Sequence, residues 1–295
     1  MHSLVFKRFF YIYIYYLNFF IYLRSKLCLL FISKKNNLYK AIKSLNSDGI
    51  CVIKNYYDSE TVDQMFESCN NILNGLPIDE VANNKIINNL QLENNVRIER
   101  NFGQIKIKNI QYKSDFIYNK SSKNILLWIC ALIYNFEFKK FLKIIFFKKI
   151  TPLCIYSLIH DGSFKNKIVR EGVKKNIIAD IPHSDTPTAR IKAFIPLKSI
   201  TFENSPFVCI KKTHNDPKVI KRFVNCLYEK SYPIKDKNPY DNLELNSEMT
   251  TYFNQNYENH VSVVNKGDLV IFDSRSIHYV SNLIKGDRQI LWFYY

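Results

Sequence analysis

At 295 residues, with 47% hydrophobic and 15% aromatic content, the chain can pack a substantial core, which excludes a fully disordered protein. The length suits one barrel or sandwich domain with an extension. The formal charge is +16, but its lysines are scattered singly and no arginine-rich arm, zinc finger or RNP-like motif accompanies them, so a generically basic surface is expected and no specific nucleic-acid partner.

Glycine is scarce while Lys, Asn, Ile, Phe and Tyr abound, the skew of AT-rich coding, and this weakens propensity arguments. The seven cysteines show no C-x-x-C pair and no metal-ligand spacing. They read as small core residues of a reduced, cytoplasmic protein.

Residues 1–34 form a hydrophobic, aromatic-rich extension. From Phe9 to Leu23 only Asn18 breaks the run, and nine of these fifteen residues are Phe or Tyr. As a helix the run spans about 22 Å, short of a hydrocarbon core of about 30 Å. Lys7 and Arg8 precede it; Arg24, Lys26, Lys34 and Lys35 follow. No small-residue cleavage site marks it as a signal peptide. Three readings stand: a helix lying on a membrane surface, a true span if Leu27–Ile32 is included, or translated leader unrelated to a membrane. Either membrane reading leaves the main domain on the cytoplasmic face.

The domain proper is assigned to residues 35–295. Asn37–Asn46 reads as a helix stopped by Gly49, and Ile50–Lys54 as a buried strand. Asp58 or Ser59 then caps an amphipathic helix with Val62, Met65, Phe66, Cys69, Ile72 and Leu73 on one face. Pro77–Asn95 is polar and reads as a surface loop. Arg97–Asn109 reads as a strand or hairpin, and Ser121–Phe147 as helical. After Pro152 come short β-rich runs: Leu153–Ile159, Ile177–Ile181, Ile191–Leu197, Phe207–Ile210, Val261–Val264, Leu269–Phe272 and Gln289–Tyr294. Such spacing, with glycine punctuation, predicts a sandwich or barrel. Pro217–Asn259 interrupts it as an insertion, a short helix followed by a polar loop. The fold class is therefore α+β, helices first and β-barrel second.

The chemistry concentrates in two stretches. In His183-Ser184-Asp185 the first and third side chains share a strand face and can reach one metal ion. Chance alone supplies about 0.3 such His-x-Asp pairs in a chain of this composition. The second stretch raises the signal: Lys266-Gly267-Asp268 is a turn, Leu269–Phe272 a strand, and His278 lies just beyond on a Ser-rich segment. Two His and one carboxylate on one face of an octahedron leave three positions open, as in non-haem Fe(II) oxygenases. Arg288 opens the last strand, and its planar fork suits the far carboxylate of a metal-chelated diacid. Asp273 and Arg275 read as a surface salt bridge of little energetic weight. His214 reads as structural, and Trp292 as core.

These motifs, in this order, resemble the phytanoyl-CoA dioxygenase (PhyH)-like family. The resemblance is carried by His183-Ser184-Asp185-Thr186, Arg190–Leu197, Glu203–Phe207, Lys212-Thr213-His214, Gly267–His278 and Gly286-Asp287-Arg288 with Trp292-Phe293-Tyr294, and it covers 35–295. It implies a double-stranded β-helix (jelly-roll, cupin-like) core with flanking N-terminal helices. It also implies Fe(II) held by His183, Asp185 and His278, with 2-oxoglutarate as cosubstrate on Arg288; Ser281 and Lys192 are further candidates for that carboxylate. O2 is then consumed, 2-oxoglutarate becomes succinate, and a small-molecule, lipid or saccharide substrate is hydroxylated. The family has Gly where Ser205 stands and a Gly-led turn where Lys212 stands, replacements that cost about 1 kcal/mol each if those turns need positive φ. Two rival readings are a non-catalytic jelly-roll ligand-binding module and a basic nucleic-acid-binding protein.

Overall fold

Asn36 opens a helix because its side chain accepts the Leu38 N–H at 2.8 Å. In the computed structural model, residues 2–74, 90–91, 97–101, 104–108, 126–127, 129–130, 133–134, 154–160, 182–185, 190–228, 243–245, 247–281 and 283–294 are described. The extension is a single helix, α1 (His2–Phe31), and Asn36 caps α2 (Asn37–Asp48). Leu38, Ala41, Ile42 and Leu45 form the buried stripe of α2, and Gly49 ends it at φ 77° with its N–H on the Leu45 carbonyl. A Cβ at Gly49 would stand 2.3 Å from Ser276 Oγ and 2.7 Å from His214 Nδ1, so this corner takes only glycine.

Strand β1 (Ile50–Ile53) follows, then α3 (Ser59–Asn74), which Asp58 caps by accepting the Thr61 N–H at 2.8 Å. The expected stripe of α3 is buried at Val62, Met65 and Cys69. Next come β2 (Leu90–Gln91), the hairpin β3 (Arg97–Asn101) and β4 (Gln104–Lys108), β5 (Cys154–His160), β6 (His183–Ser184), β7 (Ile191–Pro196) and β8 (Phe207–Ile210). Helix α4 (Pro217–Tyr228), β9 (Leu243–Glu244), α5 (Ser247–Asn256), β10 (Asn259–Ser262), β11 (Leu269–Asp273), β12 (His278–Val280) and β13 (Arg288–Tyr294) complete the order.

Two antiparallel sheets result. The larger runs β1-β11-β7-β13-β5-β4-β3-β2, and the smaller β10-β8-β12-β6-β9. Period-two alternation divides the larger sheet's side chains between two cores. Ile50, Phe194, Val270, Phe272, Ile290 and Trp292 face the smaller sheet and meet its Phe207 and Cys209. Cys51, Ile191, Ala193, Ile195, Ile271, Leu291 and Phe293 face the other way and meet the stripes of α2 and α3 and the helical residues Leu126, Leu127, Cys130, Ile133 and Tyr134. Helices, large sheet and small sheet are thus three layers. Phe207 is the rivet between the sheets, its ring 5.5 Å from Phe194 and 4.7 Å from Phe272. Truncating such a ring to Ala costs about 3–5 kcal/mol.

Of the five cysteines whose side chains are described, four are buried and Cys28 is half-buried. Cys28, Cys51, Cys69, Cys130 and Cys209 are free, and burial pushes the thiols of Cys51 and Cys209 up to about 11 and 12.

Several sequence expectations change. The polar stretch after α4 is more than a loop, because β9 and α5 lie within it; α5 has only Met249, Tyr252 and Phe253 as apolar residues, too few to show a period. Strand β10 begins two residues earlier than the apolar run, and Val264 instead bridges to Ile200. Leu90–Gln91 pairs with β3 inside the stretch read as a loop. The Ile177–Ile181 run lies outside the described residues.

Candidate metal centre

Strands β6 and β12 are antiparallel neighbours, and His278 sits opposite His183 in register. Their ring centroids are 4.5 Å apart. His278 opens a strand of its own; the sequence had placed it on a segment beyond one. Asp185 follows β6 directly, and its carboxylate lies between the two imidazoles: Oδ1 is 3.8 Å from His183 Nε2 and Oδ2 is 3.3 Å from His278 Nε2. One ligand atom from each of the three residues falls within 4.8 Å of the others.

A three-residue turn holds this constellation. Ser274 O accepts the Asp185 N–H at 3.0 Å. Arg275 O accepts Ser184 Oγ at 3.0 Å, and Ser276 O lies 2.8 Å from His278 Nδ1. That last contact needs a proton on Nδ1, so Nε2 is the ring nitrogen available to a metal. Three successive carbonyls therefore position β6, Asp185 and His278 together.

The turn is fixed from beneath. Arg275 Nε donates to Asp273 Oδ1 at 3.0 Å, and Nη2 donates to Oδ2 at 2.5 Å. Asp273 is fully buried and Arg275 is 4% exposed, so the pair read from the sequence as a weak surface bridge is a buried ion pair. Such a pair is costly to half-remove, whatever its net contribution. Burial pushes the Asp273 carboxyl up, but Arg275 outweighs it and holds it low. Thr213 adds a further tie, donating to Ile210 O at 2.7 Å and accepting the Ile277 N–H at 2.9 Å. The sequence marked none of Ser184, Thr213, Asp273 or Arg275 as supports. His214 is structural as read, buried beside Gly49 with Nε2 at 2.8 Å from Asn215.

The larger sheet supplies cations from the opposite side. Lys192 shares its face of β7 with Phe194 and places Nζ 2.7 Å from Asp185 Oδ2. Burial pushes the Asp185 carboxyl up, yet Lys192, His278 and His183 together hold it well below the ordinary range. Lys192 therefore meets the metal-site carboxylate here. Arg288 shares its face of β13 with Ile290 and Trp292, is 1% exposed, and donates from Nη1 to Ser205 O at 2.7 Å. Ser205 sits at φ 66° and donates its hydroxyl to Ser281 O at 2.5 Å. Ser281 Oγ is buried and has no hydrogen-bond partner among the described residues. The structure thus joins Arg288 and Ser281 through Ser205.

The residues present fit a divalent metal and an anion. Two imidazoles and one carboxylate held ionised are the donor set of a borderline metal such as Fe(II). A fully buried guanidinium, joined through Ser205 to the residue that carries a buried hydroxyl, suits a carboxylate of a bound acid.

No family model and no curated protein matches the chain. Solved structures do. The epimerase SnoN, in complex with Fe3+, alpha ketoglutarate and nogalamycin RO, aligns at a TM-score of 0.51 with 11% identity, covering 87% of this chain and 82% of SnoN. EctD from S. alaskensis with bound Fe aligns at 0.47 with 11% identity, covering 89% and 78%. HygX from Streptomyces hygroscopicus with nickel and 2-oxoglutarate bound aligns at 0.40 with 12% identity, covering 89% and 86%. At 11% identity the likeness to SnoN establishes a shared fold and says nothing of substrate. The chain shares the fold of SnoN, and in that fold it assembles a His-Asp-His cluster.

Proposed function

We propose that the chain is an Fe(II)/2-oxoglutarate-dependent oxygenase of the double-stranded β-helix class, related to the phytanoyl-CoA dioxygenase-like family, acting on a small-molecule, lipid or saccharide substrate by hydroxylation. The observation that carries this reading is the convergence of His183, Asp185 and His278 between the two sheets, with one ligand atom of each inside 4.8 Å. His183 Nε2, His278 Nε2 and the Asp185 carboxylate would hold the iron. Arg288 with Ser281 would hold the distal carboxylate of 2-oxoglutarate. Bound iron supplies redox chemistry with O2 that turns 2-oxoglutarate into succinate and CO2 as substrate is oxidised. The chain's own part is positional: the carbonyls of Ser274, Arg275 and Ser276 fix the ligands, and the apolar core around Phe207, Phe272 and Trp292 keeps bulk water from that side.

The neighbour SnoN is an epimerase, so the fold accommodates outcomes other than hydroxylation, and the ligands alone do not choose among them. An intact Asp185 argues against halogenation, which needs a small residue there to admit halide. One observation favours a non-catalytic ligand-binding module instead: Lys192 Nζ sits 2.7 Å from Asp185 Oδ2, where it competes with a metal for the same oxygen.

Anaerobic titration with Fe(II) and then 2-oxoglutarate separates the two readings. The oxygenase binds both and, on admitting O2, releases succinate in an Fe(II)-dependent manner that His183→Ala abolishes. A chain that binds no iron under these conditions is not the oxygenase, and acid binding that His278→Ala leaves unchanged then identifies the binding module.

A further inference from the structure

Helix α1 is held to the domain along one narrow line. Ile14, Leu17 and Ile21 are buried at one-turn and two-turn spacing, Ile14 in one cluster with Ile220 and Val224 of α4 and Ile21 in another with Ala41 and Ile42 of α2. Ser25 extends the line: it is fully buried, with Oγ 2.9 Å from Asn46 Oδ1, an atom that also accepts the Tyr134 hydroxyl at 2.8 Å. The opposite face carries Ile12, Tyr16, Phe19, Leu23, Leu27 and Leu30, at i, i+4, i+7, i+11, i+15 and i+18, and every one is at least 43% exposed. An apolar face of five turns exceeds what a monomeric surface ordinarily leaves in water.

Charge identifies what covers it. The first 47 residues hold eight Lys and Arg and no Asp or Glu. Arg8, Tyr15, Tyr22 and Lys26 recur at i, i+7, i+14 and i+18, along one border of the apolar face, and Lys26 Nζ sits 5.2 Å over the Tyr22 ring. Cations and tyrosines bordering an apolar stripe are the pattern of a helix lying at the headgroup level of a bilayer. A second copy seated on this face would bring two all-cationic segments together, whereas an anionic bilayer neutralises them.

We infer that α1 docks the protein onto an anionic lipid surface while lying in the plane of that surface, its Ile14–Leu17–Ile21–Ser25 line still bound to the domain. Residues Tyr11–Phe31 are long and apolar enough to cross a bilayer, but crossing would strip α2 and α4 of their cover and break the Ser25–Asn46 contact. The chain length that spans is already used as an edge of the fold. This inference stands whether or not the His-Asp-His cluster holds iron.

The test is co-sedimentation of the full chain with vesicles of mixed phosphatidylserine and phosphatidylcholine, against pure phosphatidylcholine. Binding to the mixed vesicles is expected, reversed by an alkaline carbonate wash. Neutralising the border charges with Arg8→Gln and Lys26→Gln should lower the partition coefficient by roughly 30-fold, from about fivefold per cation. Leu23→Ser with Leu27→Ser, both on the solvent side, should weaken binding to both vesicle types. A bound fraction that resists carbonate overturns the in-plane inference in favour of a span. Absence of vesicle binding also overturns it, and concentration-dependent dimerisation without lipid then identifies a second copy as the occupant.

Discussion

His183 and His278 stand opposite each other across β6 and β12, ring centroids 4.5 Å apart, with the Asp185 carboxylate within 4 Å of both Nε2 atoms. The pairing joins residues from two strands far apart in sequence into one ligand set, so neither strand holds the site alone. Iron that binds this set binds the folded chain only, and mass action then raises stability, by about 2.7 kcal/mol at a hundredfold excess over Kd. Anaerobic thermal unfolding should show Tm rising with Fe(II) and returning on chelation. In His278→Ala the increment should vanish, since two of three ligands remain.

The Asp273–Arg275 pair offers a sharper separation of roles. Arg275→Met strands a buried carboxylate, and a urea titration should register a loss of about 3–5 kcal/mol. Arg275→Lys keeps the charge and loses the fork that engages both Asp273 oxygens. Its stability loss should be smaller, but the carbonyls of the turn lose their register, and Fe(II) affinity should fall by about 10–100-fold. Unchanged iron affinity in Arg275→Lys would show that the turn tolerates the change.

Ser205 and Lys212, where the phytanoyl-CoA dioxygenase-like resemblance implies glycine, both stand at positive φ, 66° and 67°. Lys212 is exposed, so only its backbone matters there. Lys212→Gly should relieve strain of about 1–2 kcal/mol, partly offset by the greater freedom of the unfolded chain, for a net gain of roughly 0.5–1 kcal/mol. Ser205→Gly relieves the same strain but loses the hydroxyl bond to Ser281 O. Denaturant midpoints should therefore rise for the first variant and stay nearly level for the second.

Burial lowers the His214 imidazole from 6.5 to about 4. Between those values the unfolded chain binds a proton that the folded chain refuses, so stability is full above the unfolded value and drains as pH falls toward 4. The loss across that window is roughly 3 kcal/mol. Unfolding free energies measured from pH 7 to 4 should show this slope, and His214→Gln should flatten it while leaving the carboxylates' contribution at lower pH.

Helix α3 was readable because burial repeats with a clean period at Val62, Met65 and Cys69, and the central strands β7 and β11, buried on both faces, were readable as short continuous apolar runs. The ligands were readable from spacing and order. What carried no signal was the short strand and the long-range environment. Strand β6 is two residues long, β9 two and β12 three, below the length at which alternation can be seen. Asp-Ser-Arg-Ser at 273–276 looks like a solvated turn. It is buried because Gly49 and His214, distant in sequence, close over it, and no local pattern reports that.

The register of His278 with His183 has a consequence for the order of events in folding. The two residues are 95 apart in sequence, 278 less 183, and the strands that carry them share a single pair. Closing a loop of that length is slow and is rewarded only after the larger sheet has formed a surface for β8 and β12 to pack on. A metal ion therefore cannot seed this fold as it seeds a zinc finger. A metal that binds here meets a finished site and adds to a stability that the apolar core has already supplied.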